Sequence, residues 1–230
     1  MSVLLCLPFA GAGAGLFHQW RRASVGSLDI RPLLLPGRES RIEEEPHTSL
    51  ADAVADLFVQ ASKAIEHDGP IGVFGHSLGA VLGYELAWRL VEDGRTDVRL
   101  FASGSPAPWR RRVERAKDLS DDEFVEHVEE LAGYRHEGLH EPELRELLLP
   151  ALRADVELHE AYAPTHRDPL PAPIVALRGT DDLLVSRAET EEWKEATSAS
   201  FELVELTGGH MYLVDAGSAI TGQIERRLHA

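Results

Sequence analysis

The chain has 230 residues and a formal charge of −16 at neutral pH. That charge argues against a nucleic-acid partner, and no apolar run approaches the ~20 residues of a membrane span, so no membrane partner is expected either. The hydrophobic share of 43% and charged share of 27% suit a soluble chain long enough for one domain with a real core, spanning residues 1–230.

Met1 to Leu7 shows neither a basic region nor a cleavage pattern, so no secretory signal is expected. The single cysteine, Cys6, excludes an internal disulfide. Together these give an expected cytoplasmic setting. Cys6 lies inside an apolar run and reads as core, not as a nucleophile.

Val3-Leu4-Leu5-Cys6-Leu7 is continuously apolar, the pattern of a strand covered on both faces. It runs into Pro8-Phe9-Ala10-Gly11-Ala12-Gly13-Ala14-Gly15. A dinucleotide fingerprint would need a third glycine where Leu16 stands. The loop reads better as one with exposed backbone N–H groups that supply half of an oxyanion hole. A short helix is predicted over about residues 16–24. A second strand is predicted from Asp29 to Gly37, stopped by Pro36-Gly37, and a charged loop from Arg38 to Pro46 follows. Thr48-Ser49-Leu50-Ala51-Asp52 has cap chemistry, and Leu50, Val54, Leu57, Phe58, Ala61 and Ile65 keep helical spacing to about His67.

Ile71-Gly72-Val73-Phe74 then leads into Gly75-His76-Ser77-Leu78-Gly79, and a helical pattern runs on to about Asp93-Gly94. Val98 to Ser103 is a fourth strand. From Arg110 to Leu170 there is no strand signal. Phe124, Val128 and Leu131 mark one amphipathic helix. Leu144, Leu147, Leu148, Leu152 and Val156 mark a second, broken or kinked at Pro150. An insertion at about 110–170, between strands at the end that carries Ser77, predicts a lid. Ile174 to Arg178 and Phe201 to Leu206 complete six strands. Ala188 to Thr197 is predicted helical between them, and a helix from Ile220 to Leu228 ends the chain. Strands alternating with helices imply an α/β class: a mostly parallel sheet, helices on both faces and right-handed crossovers.

The chemistry centres on G-x-S-x-G. A strand, a sharp turn and a helix throw Ser77 out at the carboxyl edge of the sheet, and the helix N-terminus favours developing negative charge. A serine hydroxyl needs a base, and the base needs a carboxylate to fix its tautomer. Among 11 histidines, His210 in Thr207-Gly208-Gly209-His210-Met211 directly follows the last strand at that same edge and is the candidate base. His18, His127, His136, His140, His159, His166 and His229 lie in charged contexts and read as exposed. His76 adjoins Ser77 but points another way. The fifth strand runs into Gly179-Thr180-Asp181-Asp182. Both Asp181 and Asp182 follow the strand end. Resemblance to hydrolases of this layout, whose acid lies three residues after the glycine, favours Asp182, with Asp181 the alternative. The other placement such hydrolases use, the turn at Ser103-Gly104-Ser105-Pro106, holds no carboxylate. The oxyanion hole is expected to use the backbone N–H of Leu78 and of Ala10, with Phe9 the second choice. No P-loop, CxxC or HExxH occurs and no cluster has metal-ligand spacing, so no metal or other cofactor is expected.

Taken together, these motifs resemble the type II, stand-alone thioesterases of polyketide and nonribosomal peptide biosynthesis, within the α/β-hydrolase superfamily. The resemblance covers nearly the whole chain. It rests on Leu7-Pro8-Phe9-Ala10-Gly11, Leu35-Pro36-Gly37-Arg38-Glu39-Ser40-Arg41, the elbow, Leu149-Pro150-Ala151-Leu152-Arg153-Ala154-Asp155, Gly179-x-x-Asp182 and Gly209-His210. Leu183 departs from a common proline and Ala12 from a common glycine. The resemblance implies hydrolysis of acyl thioesters from phosphopantetheinyl carrier proteins, clearing stalled or mis-primed chains through a Ser77-His210-Asp182 triad. It also makes Arg110, Arg111 and Arg112 candidate docking residues for an acidic carrier. The alternatives are a carboxylesterase or acyl-CoA thioesterase of the same fold, or a non-catalytic binding module.

Overall fold

Period-two burial along the strands sorts the core into two layers. In a computed structural model that describes residues 2–23, 28–66, 69–110, 116–132 and 135–229, six strands form one sheet. They are β1 (Ser2–Leu7), β2 (Leu28–Pro32), β3 (Ile71–His76), β4 (Val98–Ser103), β5 (Ile174–Gly179) and β6 (Phe201–Leu206), in the order β2-β1-β3-β4-β5-β6. Every neighbouring pair is parallel, as βαβ connections require.

Seven helices accompany the sheet among the described residues: α1 (Gly15–Ala23), α2 (Leu50–Ala64), α3 (Leu78–Glu92), α4 (Asp121–Ala132), α5 (Pro142–Glu160), α6 (Arg187–Glu191) and α7 (Gly217–Leu228). Leu5, Leu7, Val73, Leu100 and Ala176 face one way and pack with Leu57 of α2 and Leu82 and Leu86 of α3. Leu4, Cys6, Phe74, Phe101 and Leu177 face the other way, against Phe17 and Trp20 of α1 and Ile220 and Ile224 of α7. Cys6 is fully buried there, and burial pushes its thiol pKa well up, away from the reactive thiolate.

Between β4 and β5, α4 and α5 share a smaller core of Phe124, Val125, Leu139, Leu149, Leu152 and Val156, against which Ala10 of the first loop also packs. Of the break or kink expected at Pro150, the break does not occur: α5 is continuous through it. Pro150 and Glu146, the residue whose carbonyl loses its helical donor, are both on the exposed side, where water can serve that carbonyl.

The second strand is shorter than predicted and stops at Pro32. Beyond it, the Gln60 side chain of α2 takes the Leu34 N–H at 2.9 Å and donates to the Leu34 carbonyl at 2.9 Å, groups a longer ladder would need. The predicted helix after β5 is α6 followed by a 3-10 turn at Glu192–Ala196. The predicted end of α2 at His67 lies outside the described residues; the helix itself closes at Ala64.

The chain leaves β1 for β2 on one side and returns to β3 on the other, so a switch point lies between the carboxyl ends of β1 and β3. In open α/β sheets this is where ligand sites form. Leu7 pairs with Gly75 across that point, which brings the first loop alongside the elbow.

Candidate active site

The elbow is shaped by two glycines and one strained serine. A Cβ on Gly75 would lie 1.8 Å from the Gly79 carbonyl oxygen, and one on Gly79 would lie 2.4 Å from the Leu7 carbonyl oxygen. Only glycine lets the first turn of α3 pass this close to β3 and to the end of β1. Ser77 itself sits at φ 54°, ψ −115°, a conformation that costs on the order of 1–3 kcal/mol and is held only where surroundings over-determine it. Its N–H donates to the Ser103 carbonyl at the end of β4, at 2.9 Å.

The acid and base come together in the same way. A Cβ on Gly179 would lie 2.3 Å from the carbonyl oxygens of Gly208 and Gly209, so the loop after β5 and the loop after β6 are in backbone contact. Thr180 N–H donates to Leu206 O at 2.8 Å, and Asp181 N–H to Gly208 O at 2.9 Å. Arg178 is buried and donates to the carbonyls of Val185 and Asp182, each at 3.2 Å, while its head pairs with Glu205 at 2.6 Å.

In this frame Asp182 Oδ2 stands 2.9 Å from His210 Nδ1. Asp182 Oδ1 accepts the N–H groups of Leu184 at 2.9 Å and Val185 at 3.1 Å. Asp181, the alternative acid, is exposed, and its carboxylate accepts from the Thr180 hydroxyl at 3.3 Å rather than from a histidine. Burial of Asp182 would raise its pKa, but the His210 hydrogen bond and the two backbone donors outweigh it and hold the carboxyl below the usual value.

Ser77 and His210 line one cavity of about 430 Å³, within the roughly 300–1,000 Å³ of small-ligand pockets. Phe9 and Ala10 of the first loop form part of its wall, as do Val128 and Leu131 of α4 and Leu152 and Val156 of α5. The backbone N–H groups of Leu78, Ala10 and Phe9 make no hydrogen bond among the described residues. Leu78 opens α3, whose first donors have no partner within the helix.

The neighbours of this pair depart in part from the sequence reading. His76 does point away from the cavity. It is fully buried, with Nδ1 2.8 Å from Ser103 Oγ, which in turn lies 2.7 Å from Tyr212 OH. Its ring centroid is 4.9 Å from that of His210. Burial, and after it the neighbouring His210 and His159, press its pKa well below the ordinary value. His127 and His159, expected to be exposed, instead line the cavity with Glu160. The sequence does carry a signal for His159: residues 152, 156 and 159 follow the 3-and-4 spacing of one helical face.

Of the basic candidates, Arg110 pairs with Glu189 at 3.2 Å and Glu192 at 2.6 Å; Arg111 and Arg112 lie outside the described residues. No helix among the described residues is long and apolar enough to cross a membrane. Among those residues, no group of three His, Cys, Asp or Glu is placed to hold a metal ion.

A parallel sheet with its serine on a strained strand-to-helix turn at the switch point, and an Asp–His pair on the loops after the last two strands, defines the α/β-hydrolase class. Comparison with known proteins narrows this. The thioesterase domain family matches residues 2–228. The chain is 33% identical over 98% of its length to a probable cadicidin biosynthesis thioesterase of Streptomyces griseus, and it spans 62% of that relative's length. Among solved structures it is similar to the type II thioesterase BorB of the borrelidin biosynthetic cluster, at 36% identity and a TM-score of 0.88, covering 99% of this chain and 92% of that one. It is also similar to YbtT, a type II thioesterase of the yersiniabactin NRPS/PKS pathway, at 27% identity and a TM-score of 0.87, covering 98% and 91%. The chain belongs to the thioesterase family and groups there with the type II thioesterases of polyketide and nonribosomal peptide pathways.

Proposed function

We propose that the protein hydrolyses acyl thioesters carried on the phosphopantetheine arm of carrier proteins, releasing stalled or mis-primed chains, with Ser77, His210 and Asp182 as the catalytic triad. The observation that carries this reading is the Asp182–His210 hydrogen bond at the rim of the cavity that holds Ser77. Asp182 keeps the proton of neutral His210 on Nδ1, which leaves Nε2 to take the proton of Ser77 Oγ. The oxygen attacks the thioester carbonyl carbon. The resulting oxyanion is received by the N–H groups of Leu78 and Ala10 at the positive end of α3. Collapse breaks the carbon–sulfur bond, and the imidazolium returns its proton to the departing thiol. Water, deprotonated by His210, then cleaves the acyl-serine ester and frees the carboxylic acid.

The segment carrying α4 and α5 serves as a lid within a single 1–230 domain. Its apolar wall of Val128, Leu131, Leu152 and Val156 shelters the acyl chain. Arg110, with Arg111 and Arg112, lies at its start and is assigned to docking of an acidic carrier.

Turnover of one acyl group on a carrier protein, on coenzyme A and as a nitrophenyl ester tests the substrate class. The carrier thioester is expected to give the highest kcat/KM; an ester hydrolysed far faster than any thioester overturns the reading. A fluorophosphonate probe is expected to label the wild type and leave Ser77→Ala unlabelled. Equal labelling of both would remove Ser77 from the mechanism.

A further inference from the structure

Two stretches that the triad does not use, Pro36-Gly37-Arg38-Glu39 and the Asp155 turn of α5, meet around the first loop. Asp155 and Arg38 form a buried, two-pronged ion pair: Arg38 Nη1 lies 2.5 Å from Asp155 Oδ2, and Nη2 lies 3.0 Å from Oδ1. Both side chains are only 5% exposed. Arg38 Nε donates to the Pro36 carbonyl at 3.2 Å, which fixes the guanidinium from behind. Asp155 Oδ2 has a second donor, the backbone N–H of Gly11 at 2.8 Å. Glu39, at φ 48°, reaches the far end of the same loop and accepts the Gly15 N–H at 3.1 Å.

The Gly11 bond falls at a decisive peptide. Ala12 N–H donates to Phe9 O at 3.1 Å, Gly11 has φ 74°, and Ala10 is not among the residues with positive φ. Those signs are those of a type II turn over Phe9–Ala12, whose middle peptide joins Ala10 to Gly11. A type II turn converts to type I by flipping that peptide. The flip would aim the Ala10 carbonyl, in place of the Gly11 N–H, at the Asp155 carboxylate. The partial negative charge of that carbonyl would then face the full charge of the carboxylate in a dry pocket, so the carboxylate selects one orientation.

We propose that Asp155, held by Arg38, is a positioning residue for hydrolysis: by holding the Gly11 N–H at 2.8 Å it anchors the Phe9–Ala12 turn against α5, and so fixes the place of the Ala10 N–H that receives the oxyanion. This rests on the Ser77 site proposed above. Because Asp155 belongs to α5, the acceptor leaves the turn whenever α5 lifts, so the oxyanion donor is organised only while the segment over the cavity is seated. Gly11 adds a steric side to the same coupling, since a Cβ there would lie 2.7 Å from Leu152 Cδ1 of α5.

The test separates positioning from stability. The double variant Arg38→Met/Asp155→Leu removes both charges together and leaves no unpaired ion behind. It is expected to keep the wild-type melting transition to within a few degrees yet lose about 10- to 100-fold in kcat, with KM changed less than about twofold, because a transition-state contact is weakened rather than ground-state binding. Arg38→Lys keeps the charge pair and loses the fork, so it is expected to lose several-fold in kcat with KM unchanged; it also gives the reading if the double variant does not fold. Wild-type kcat in either folded variant, or a loss confined to KM, overturns the proposal. Both variants are assayed on a carrier-bound thioester and on a nitrophenyl ester. Wild-type enzyme that turns over only the ester refutes the substrate class while the ester kcat still reports on Asp155. Activity surviving in Ser77→Ala refutes the site itself.

Discussion

Asp182 divides its two oxygens between two tasks: Oδ2 meets His210 Nδ1 at 2.9 Å, and Oδ1 is held by the backbone N–H groups of Leu184 and Val185 at 2.9 and 3.1 Å. The carboxylate therefore has one orientation, and it imposes one tautomer on His210. The backbone contact between the β5 and β6 loops at Gly179, Gly208 and Gly209 is what makes this geometry reachable.

Asp182→Asn exposes the consequence. The asparagine oxygen can still accept from Leu184 and Val185, but its amide then donates to His210 Nδ1 and moves the ring proton to Nε2. A base protonated at that atom cannot take the Ser77 proton, and kcat is expected to fall by about 10⁴-fold. The fold is expected to survive, seen as a melting temperature within a few degrees of wild type. A kcat within tenfold of wild type would show that Asp182 is not the orienting acid.

His76 predicts a pH dependence of stability. Its ring is buried and neutral, and its folded pKa is pressed well below the ordinary 6.5 by burial first. The unfolded chain then binds a proton that the folded one refuses as pH falls below 6.5. The sign follows from that difference: stability is full above the unfolded pKa and declines below it, by about 1.4 kcal/mol per pH unit for this one group. Asp182 has the opposite character. Its depressed pKa removes stability only as pH falls below the ordinary carboxyl value of 3.8, so it does not enter between pH 6.5 and 5. Denaturant titrations at pH 7, 6 and 5 on wild type and His76→Gln check this. The variant is expected to have a flatter slope, and parallel slopes would refute the assignment.

The strands, the elbow and the loops that bring Asp182 and His210 together are legible because each carries a local signal. Apolar runs, a Gly-flanked serine and Gly-flanked partners after strands all encode their own geometry. Where the sequence misleads, non-local contacts decide. The strand from Asp29 is cut short by Gln60, far along the chain. Pro150 is accommodated because it and Glu146, whose carbonyl loses its helical donor, both lie on the exposed side of α5. The apolar stripe in α5 is narrower than the spacing of its leucines implies: Leu144 is 47% and Leu147 50% exposed, while Leu149, Leu152 and Val156 are buried. The Arg38–Asp155 pair spans two segments whose sequence patterns say nothing of each other. His127 and His159 are placed in the cavity by how α4 and α5 pack, not by their charged surroundings.

The cavity wall predicts a chain-length effect. Val156 is buried on α5 and lines the space that holds Ser77. Val156→Phe fills part of that space without touching the Asp182–His210 pair. The longest acyl chain accepted by wild type is expected to lose tenfold or more in kcat/KM, since each methylene that no longer fits costs about 1–3 kcal/mol. An acetyl or propionyl thioester is expected to keep its rate to within about threefold, since a short chain leaves that part of the wall unused. A profile of kcat/KM against chain length reads this directly. A uniform loss at all lengths would mean that Val156 supports the site rather than bounding the acyl chain.

Arg110 tests the carrier surface. It is half-exposed and paired with Glu189 and Glu192, and exposed pairs of this kind contribute under about 1 kcal/mol. The triple reversal Arg110→Glu, Arg111→Glu and Arg112→Glu is therefore expected to leave the fold intact, although it sets a new carboxylate beside Glu189 and Glu192. If these arginines meet an acidic carrier, kcat/KM for the carrier-bound thioester falls about tenfold or more, and its dependence on salt weakens, because rim charges act mainly on the encounter rate. A thioester of free pantetheine, which has no protein surface to dock, keeps its wild-type rate. Equal loss on both substrates would place the effect in the catalytic cavity. An unchanged carrier-bound rate in a folded triple variant would rule these three residues out of docking.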